Sequence, residues 1–419
     1  MIIEIMDPIY GLLKLNDMER EIIDTAEFQR LRRIKQLSSA NFVYPSANHT
    51  RFEHSLGAMH LAGIMGEVLT NKGYISSDEI QKLRVAGLLH DVGHGPFSHL
   101  FEDAVSKKYK TNHEEIGRRI ITESAISDVI KKYGYDPVEV AQLANGIYPN
   151  KPFMNAIVAG PLSADLMDYI QRDSYYTGAI YGRVNVTKII NSMHVYTNQL
   201  SIEKDAVSAF EGMTIARYEM FKEVYFHKTS RAADVMLRHA IELYDSITGF
   251  ADPKDLKNYI ELTDDMLIVT ILKSEEKEAQ NARNFVKDYL ARNLLKLVYE
   301  ESFIGKDAFL EKLFNQEILR ERLITQIEEK ASIPHGNIFI DLPTVPSVPR
   351  SFDREDLKNI LIMTKEGIRE MSITDIPVIE SIQGYYNIMR IYSRKEYREA
   401  AEKTIKEIFG SGYYAKISV

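Results

Sequence analysis

The sequence predicts a mainly α-helical protein with a smaller C-terminal lobe of mixed α+β structure. Apolar residues recur at spacings of three and four over most of residues 16–332, as in the stripe formed by Phe28, Leu31 and Ile34. Beyond residue 332, four prolines surround the apolar stretch NIFIDL, a pattern typical of a strand between loops. Apolar residues make up 45% of the chain, which is enough for a sizeable core and excludes general disorder.

The periodicity and the positions of glycine and proline predict the elements in order. Residues 2–14 predict a short strand and a turn, because Pro8 and Gly11 interrupt brief apolar runs. Helices are predicted over 16–70, 79–91, 112–132, 137–146, 154–173, 207–248 and 253–332, with further helices starting near 97 and covering 393–408. A length of 419 residues favours two units, which we divide at residue 250.

Composition limits the classes of partner. The chain has 52 basic and 60 acidic side chains, and this net charge of -8 gives no general attraction for nucleic acid or anionic membrane. The absence of cysteine excludes disulfides and thiolate metal sites. The first 14 residues lack the pattern of a signal peptide, and no segment predicts a membrane span. We therefore expect a cytoplasmic protein.

Histidine is concentrated in one part of the chain. Seven of the 11 histidines lie between His49 and His113, several beside carboxylates or glycines. Histidine binds metals through a neutral nitrogen and transfers protons near neutral pH, so the concentration favours a site. No role is assigned to the histidines without such neighbours, which are His49, His60, His194, His239 and His335.

The His90-Asp91 pair ends an apolar helix and is followed at once by two glycines and a proline. An isolated pair of this kind would more often be a core histidine and a surface aspartate. Here His94 and His99 lie just beyond it, and adjacent His and Asp at a helix end can both reach one cation. Such mixed nitrogen and oxygen ligands suit Mn, Fe, Co, Zn or Ni better than calcium.

Two further pairs have the spacing of one helix face. Arg51 and His54 are separated by three residues, so His54 could bind a metal while Arg51 reaches a phosphate bound to it. His99 and Glu102 have the same spacing, and His113 follows shortly after. Each pair alone is also compatible with an ordinary ion pair on a solvated face.

Four ordered motifs carry a family resemblance. They are RFEHSLG (51–57), HDVGHGPFSH (90–99), NHE (112–114) and DLMDYIQRD (165–173). Together with the upstream stretch DTAEFQRLRRIKQL (24–37), they resemble the HD-domain deoxynucleoside triphosphate triphosphohydrolases over about residues 7–230. The resemblance implies an HD-domain helical core in residues 1–250, followed by the smaller lobe in residues 251–419.

The resemblance also implies roles for individual residues. It assigns a divalent metal (Mn, Fe, Zn, Ni, Co or Mg) to four ligands, which are His54, His90, Asp91 and Asp165. The first three agree with the argument from residue types, whereas the stretch around Asp165 reads equally well as an ordinary amphipathic helix. The residues implied around the scissile phosphate are His94, His99, Glu102 and His113. Those implied to contact phosphate or sugar are Gln36, Arg51, Tyr169, Asp173, Arg217 and Tyr225.

The implied reaction is attack of water at the α-phosphorus, which releases nucleoside and intact triphosphate. The nucleoside 5′-oxygen then needs a proton, and the donor is either His113, held by Glu102, or His99. Two positions depart from the vertebrate members of the family. Glu102 stands in place of Asp, and Leu166 stands in place of a lysine that contacts phosphate.

The resemblance further implies a second nucleotide site and an oligomer. Residues matching a guanine-nucleotide activator site are Asp24, Gln29, Arg32, His227 and Lys228. The alternative is that residues 24–27 form a capping box that opens the next helix. Glu223 stands where a relative carries arginine, which would change phosphate binding there. Relatives pair through the HD core, so we expect a homo-oligomer, either a dimer or a tetramer.

Three functions remain open from the sequence. The first is hydrolysis of deoxynucleoside triphosphates, favoured by Tyr169 and Asp173 at helical spacing. The second is hydrolysis of another nucleotide, such as a monophosphate or a cyclic nucleotide. The third is a non-catalytic nucleotide-sensing or assembly module, which loss of His113 or Glu102 would have favoured; both are present.

Overall fold

The computed structural model of the chain describes residues 3–303, 316–342, 344–345, 359–364, 367–372 and 386–409. Helices dominate these residues, which confirms the predicted fold class. An antiparallel hairpin of β1 (Ile3–Asp7) and β2 (Gly11–Leu15) precedes them. The carboxylate of Asp7 accepts hydrogen bonds from two backbone N–H groups in the hairpin turn. The strand and turn predicted for residues 2–14 are therefore present.

The helix predicted over residues 16–70 is wrong in its middle. The segment begins with α1 (Asp17–Ile23) and α2 (Ala26–Gln29), but an irregular stretch follows until α3 (Arg51–Asn71). A bridge between Lys35 and Thr50 closes that stretch into a loop. Its residues SSANFVYPSAN combine turn formers with Pro45, which is incompatible with a helix interior. The loop carries Gln36 to the site described below.

Helices α3 and α4 (Ser77–Leu89) form the central pair of the core. A Cβ at Gly87 would lie 3.0 Å from the carbonyl oxygen of Ala58, so this glycine lets the two backbones approach closely. Around the pair lie the other helices of this part of the chain: α5 (His99–Tyr109), α6 (His113–Glu123), α7 (Ala125–Lys132), α8 (Pro137–Ala144), α9 (Pro152–Val158), α10 (Ala164–Thr177), α11 (Val186–Asn191), α12 (Val207–Met220) and α13 (Lys228–Thr248).

Three predicted long helices are each divided. Ser124 separates α6 from α7 and caps the latter with its side chain. Gly160 and Pro161 separate α9 from α10. Between α12 and α13, residues 221–225 form a π-helical turn that carries Tyr225. Periodicity predicted the helical type correctly, while local capping and glycine-proline chemistry decided the ends.

The remaining chain mixes helices and strands. Its elements are α14 (Leu256–Glu261), α15 (Asp264–Lys273), α16 (Gln280–Leu290), β5 (Lys296–Phe303), α17 (Glu317–Ala331), β6 (Ile338–Asp341), β7 (Thr344–Val345), β8 (Asn359–Thr364), β9 (Gly367–Ser372), β10 (Tyr386–Ser393) and α18 (Arg398–Phe409). The strand predicted at NIFIDL is β6, and the predicted charged helix is α18. The helix predicted over 253–332 is wrong at β5.

Two sheets join distant segments. In the first, β10 lies between β5 and β6 and also pairs with β7, all antiparallel. The second contains β3 (Met193–Tyr196) and β4 (Gln199–Glu203), strands that periodicity did not predict. There β4 pairs in parallel with β8, which pairs with β9. A strand of the expected α+β lobe, β8, therefore pairs with a strand of the helical part, β4.

The buried apolar residues form two clusters. The large one contains residues from Leu13 to Leu295, among them side chains of α14, α15 and α16, and also takes in Phe339, Ile362 and Tyr392 of the C-terminal strands. The small one gathers residues between Val298 and Ile405. The domain boundary at residue 250 stays a prediction, and the two cores interleave along the chain beyond residue 295, because Phe339, Ile362 and Tyr392 belong to the large one. Among the described helices, none combines the length and the apolar character that crossing a membrane requires.

Candidate metal and phosphate site

Four predicted metal ligands converge from three helices. His54 lies on α3, His90 and Asp91 directly follow α4, and Asp165 lies in the first turn of α10. The Nε2 atom of His54 is 3.2 Å from Nε2 of His90, 3.4 Å from Oδ2 of Asp91 and 3.1 Å from Oδ1 of Asp165. Two imidazole nitrogens and two carboxylates thus surround a common space, and these donors suit a divalent transition metal or Mg²⁺.

Both histidine rings are oriented through their other nitrogen. Nδ1 of His54 is 2.7 Å from Oδ2 of Asp168, and Nδ1 of His90 is 2.8 Å from the carbonyl oxygen of Gly87. With the Nδ1 proton donated to these acceptors, each Nε2 lone pair faces the common space. A histidine that binds metal through Nε2 uses this tautomer once Nε2 has lost its proton.

Asp168 is a supporting residue that the sequence did not reveal. Both of its oxygens accept hydrogen bonds from Arg172, at 2.8 and 2.9 Å, and Arg172 also donates to Asp7 of the N-terminal hairpin. A Cβ at Gly57 would lie 1.8 Å from Oδ1 of Asp168, so only glycine allows this close approach of α10 to α3. The i, i+4 spacing of Asp168 and Arg172 was the one available signal.

The electrostatics of the cluster favour a cation. Burial alone would lower the pKa of His54, but hydrogen bonds to Asp165 and Asp168 raise it to about 10. Burial would raise the pKa of Asp91, but the neighbouring charges of Arg51 and His90 hold it well below its usual range. Ionised carboxylates therefore surround the histidine nitrogens, and the donor set fits a divalent metal.

Arg51 contacts the same cluster. It is buried, its Nη1 donates to Oδ2 of Asp91, and its Nε donates to Oγ of Ser98 at 2.8 Å. The Ser98 hydroxyl in turn donates to the carbonyl oxygen of Lys35 at 2.8 Å. A fixed, permanently charged guanidinium thus lies beside the proposed metal position, where an incoming phosphate would be attracted.

A second cluster lies beside the first. The rings of His94 and His113 stack with centroids 3.9 Å apart, and the ring of His99 packs edge-on against both. Oε2 of Glu102 is 2.8 Å from Nδ1 of His113 and 3.5 Å from Nδ1 of His99. His94 joins the two clusters, because its Nε2 lies 3.3 Å from Oδ1 of Asp91.

The members of this second cluster differ in ionisation. Partial burial opposes ionisation of Glu102, but hydrogen bonds from His113 and His99 hold its pKa below the usual range. Burial lowers the pKa of His94 well below its usual value, and the charges of Arg51 and His113 lower it further. The cluster therefore combines a neutral histidine, His94, with an ionised carboxylate that can orient the neighbouring imidazole of His113.

Five of the six residues predicted to contact substrate line one cavity of about 410 Å³, whereas Arg217 is not among its lining residues. It is lined by members of both clusters and by Gln36, Tyr169, Asp173 and Tyr225. The Tyr225 hydroxyl donates to Oδ2 of Asp173 at 2.6 Å, and Arg217 donates to the Tyr169 hydroxyl at 3.0 Å. Burial raises the pKa of Tyr169 to about 12, so this phenol stays protonated.

His49, to which the sequence assigned no role, contacts Asp173, one of the residues that line this cavity. Its Nε2 lies 2.8 Å from Oδ1 of Asp173, and its ring stacks on Tyr176 with centroids 4.6 Å apart. Both oxygens of Asp173 therefore have partners, one from His49 and one from Tyr225. His49 and Asp173 are 124 residues apart, so no local spacing could reveal this contact.

The residues predicted for a second nucleotide site lie outside this cavity. Asp24 is exposed, and Arg32 donates to Gln29 at 3.0 Å while its guanidinium lies 3.5 Å above the Phe52 ring. The capping box predicted over residues 24–27 does not form, because Thr25 rather than Asp24 caps α2 and Glu27 accepts from the backbone N–H of Ala125. His227 caps α13 through its ring, which accepts from the backbone of Thr229, and Lys228 follows at the first position of that helix.

Comparison with known proteins agrees with this geometry. Residues 51–151 match the HD domain, and residues 184–413 match the HD associated region. An uncharacterized protein of Methanocaldococcus jannaschii is 31% identical over 96% of this chain and 82% of its own length. The crystal structure of a hypothetical protein from Aquifex aeolicus superimposes with a TM-score of 0.78 at 27% identity, covering 97% of this chain and 100% of that one.

Named enzymes also match. The deoxynucleoside triphosphate triphosphohydrolase SAMHD1 of Homo sapiens is 31% identical over 72% of this chain, and its Dictyostelium discoideum homolog is 33% identical over 71%. The alignments cover 56% and 60% of those two proteins. The chain thus spans little more than half the length of these named relatives.

Proposed function

This chain belongs to the family of HD-domain phosphohydrolases, and we propose that it hydrolyses deoxynucleoside triphosphates to nucleoside and triphosphate. One observation carries the proposal. A single cavity is lined by members of the His-Asp cluster, by members of the His-Glu cluster and by the paired side chains of Tyr225 and Asp173. These provide a metal position, a proton donor and a polar wall for a sugar. The likeness to enzymes named for this reaction supports the choice of substrate.

The metal would be held by His54, His90, Asp91 and Asp165. When bound, a divalent cation polarises a phosphoryl oxygen and acidifies water. The crowded carboxylates around His54 support this placement, since without a cation they hold the imidazole protonated. Arg51 would neutralise further phosphate charge from its fixed position beside Asp91.

His113 would give the proton to the leaving 5′-oxygen. Its Nδ1 is held by the ionised Glu102, which leaves Nε2 free to face the cavity. His99, the alternative donor, has a side chain that is 68% exposed and lies farther from Glu102. The shorter contact favours His113.

The wall of Tyr169, Asp173, Tyr225 and Gln36 would contact the sugar, and Arg217 would position the Tyr169 hydroxyl. The amide oxygen of Gln36 is buried and has no hydrogen-bond partner among the described residues. A buried acceptor of this kind is satisfied when a ligand donates to it, so a sugar hydroxyl is a suitable partner.

The test is to load the protein with Mn²⁺, Fe²⁺, Co²⁺, Zn²⁺, Ni²⁺ or Mg²⁺ in turn and to incubate it with each dNTP and NTP. Phosphorus NMR identifies the first product. Triphosphate from dNTPs, with little from NTPs, is the expected result. A nucleoside monophosphate or diphosphate as first product would contradict attack at the α-phosphorus. Hydrolysis only of monophosphates or cyclic nucleotides would show that these, rather than dNTPs, are the substrates.

We further propose a homo-oligomer in which a guanine nucleotide activates hydrolysis through Asp24, Gln29, Arg32, His227 and Lys228. The exposure of Asp24 supports access to a ligand. GTP or dGTP should accelerate hydrolysis of another dNTP, and Asp24→Ala should abolish that response while metal content stays constant. Retained activation in a folded Asp24→Ala protein would place the site elsewhere, and a monomer in light scattering would contradict the assembly.

A further inference from the structure

The loop formed by residues 92–98 joins the two clusters, and its backbone is held in an unusual conformation. His94 lies within this 92–98 loop, and His99 follows it directly. Phe97 and Ser98 both have positive φ angles, 55° and 60°, although neither is glycine. L-residues adopt this region at a cost, and two in succession persist only where surrounding contacts impose them. Something outside the loop must therefore stabilise it.

Two of these contacts come from residues more than 160 positions further along the chain. Oδ1 of Asp264 accepts a hydrogen bond from the backbone N–H of Phe97 at 2.6 Å, and the Tyr259 hydroxyl donates to the carbonyl oxygen of Gly93 at 3.0 Å. Both side chains are buried, at 5% and 3% exposure. Asp264 begins α15 and Tyr259 lies on α14, so both belong to the HD associated region rather than to the HD domain.

Asp264 also holds the neighbouring loop that carries Gln36. Its second oxygen, Oδ2, accepts from the backbone N–H of Lys35 at 3.0 Å. The carbonyl oxygen of the same Lys35 accepts from the Ser98 hydroxyl, which itself accepts from Arg51. One carboxylate thus spans the two loops, and the serine between them fixes the guanidinium beside the proposed metal position.

The opposite side of the 92–98 loop is held within the HD part. The guanidinium of Arg30, which is 1% exposed, donates to the carbonyl oxygens of Val92 and His94 and lies 5.5 Å from the centre of the Tyr259 ring. A Cβ at Gly93 would lie 2.0 Å from the carbonyl oxygen of His113, so the loop also fits tightly against α6. The contacts from α14 and α15 therefore complete an enclosure around the loop.

We propose that Asp264 and Tyr259 are positioning residues, through which the HD associated region holds the 92–98 loop so that His94, His99 and Arg51 face the scissile phosphate. Neither residue touches the cavity, so they act through the backbone of the loop. The proposal rests on the phosphohydrolase function, and it assigns to the region beyond the HD domain a direct part in forming the active site.

The chain offers a matched control. Asp265 has the same side chain, stands one residue away on the same helix and is exposed, whereas Asp264 is buried. The variants Asp264→Asn and Tyr259→Phe are therefore compared with Asp265→Asn. Asparagine preserves volume but offers only one acceptor oxygen, so it cannot bind both backbone N–H groups. Phenylalanine removes only the hydroxyl.

The first measurement is amide hydrogen exchange, which does not depend on activity. Exchange of peptides covering residues 92–98 should become about tenfold faster in Asp264→Asn and Tyr259→Phe, and should match the unsubstituted chain in Asp265→Asn. Unchanged exchange in both test variants would overturn the proposal. If Asp264→Asn fails to fold, Tyr259→Phe decides the result alone.

The second measurement separates positioning from a merely structural role. In the two test variants, kcat should fall about 10- to 100-fold at nearly constant KM, while metal content by elemental analysis stays at the level of the unsubstituted protein. Faster exchange with unchanged kcat would overturn the positioning role, as would an equal loss in Asp265→Asn. If the unsubstituted protein hydrolyses no nucleotide, the proposed function fails, and hydrogen exchange alone then decides whether α14 and α15 hold the loop.

Discussion

The two clusters in the cavity are built from similar residues but in different surroundings. In the first, the carboxylates of Asp165 and Asp168 contact one buried imidazole, that of His54, and raise its pKa to about 10. In the second, one carboxylate, Glu102, lies beside stacked rings, and burial drives the pKa of His94 well below its usual value.

This difference separates two chemical tasks. An excess of carboxylate around imidazole attracts a cation, which replaces the proton and neutralises the acids. A single carboxylate that orients one of several histidines leaves a nitrogen able to give or take a proton. The first cluster therefore suits metal binding and the second proton transfer, although both use only His, Asp and Glu.

The largest expected effect comes from removing two proposed metal ligands of the first cluster. The double variant His90→Ala/Asp91→Ala should lose both bound metal and hydrolysis, because it removes one nitrogen and one carboxylate ligand from the four. Elemental analysis measures the metal. Asp128→Ala, at an exposed carboxylate of α7, serves as control and should retain both. Full metal occupancy in the double variant would show that the first cluster is not the metal site.

Removing the proton donor should affect rate without affecting metal. His113→Ala should lower kcat by about 10²- to 10⁴-fold, because general acid catalysis contributes on that order, while metal content stays unchanged. His99→Ala serves as the comparison and should lose less. A larger loss of kcat in His99→Ala would make His99 the proton donor instead of His113. Loss of metal in either variant would show that the second cluster also takes part in metal binding.

The stability of the protein should depend on pH through Asp264, the buried carboxyl that holds the 92–98 loop. Burial raises the pKa of Asp264 to about 6, and the neighbouring charge of Asp265 adds to this, although hydrogen bonds from the backbone of Phe97 and Lys35 and the charge of Lys35 oppose it. The folded state therefore binds a proton that the unfolded chain has lost. Its stabilising effect is complete at low pH and is lost as pH rises from about 4 to about 6.

The free energy of unfolding, taken relative to Asp264→Asn, should accordingly fall by up to about 3 kcal/mol between pH 4 and pH 7. Urea unfolding of both proteins at several pH values measures the difference. Asp265→Asn should keep most of this fall, reduced only by the part that the Asp265 charge contributes to the raised pKa of Asp264. A difference that stays constant, or rises with pH, would show that Asp264 is ionised in the folded protein throughout this range.

The smallest effect is expected at Asp168, which contacts the proposed ligand His54 but is not itself a proposed ligand. Asp168→Asn should weaken metal binding about 10- to 100-fold, because asparagine orients the His54 ring less firmly and removes a negative charge. A metal titration against a competing chelator measures the change. Unaltered affinity would mean that Asp168 serves only to hold Arg172, and the first cluster would then depend on its direct ligands alone.

The sequence alone determined the helical class, the N-terminal strand and turn, and the concentration of histidine. It also indicated His54, His90 and Asp91 as ligands from their residue types, whereas Asp165 required the family resemblance. Such features are local, since periodicity, capping and short spacings act within a few residues. For the same reason the helix predicted across residues 34–50 was wrong, because the loop there closes on Thr50 through a tertiary bridge.

Only the tertiary structure decided which side chains support the site. Asp168 lies 114 residues from His54, His49 lies 124 from Asp173, and Asp264 lies 167 from Phe97. A buried carboxylate is indistinguishable in sequence from an exposed one, as Asp264 and Asp265 demonstrate, because burial and partners arise only when distant segments pack together.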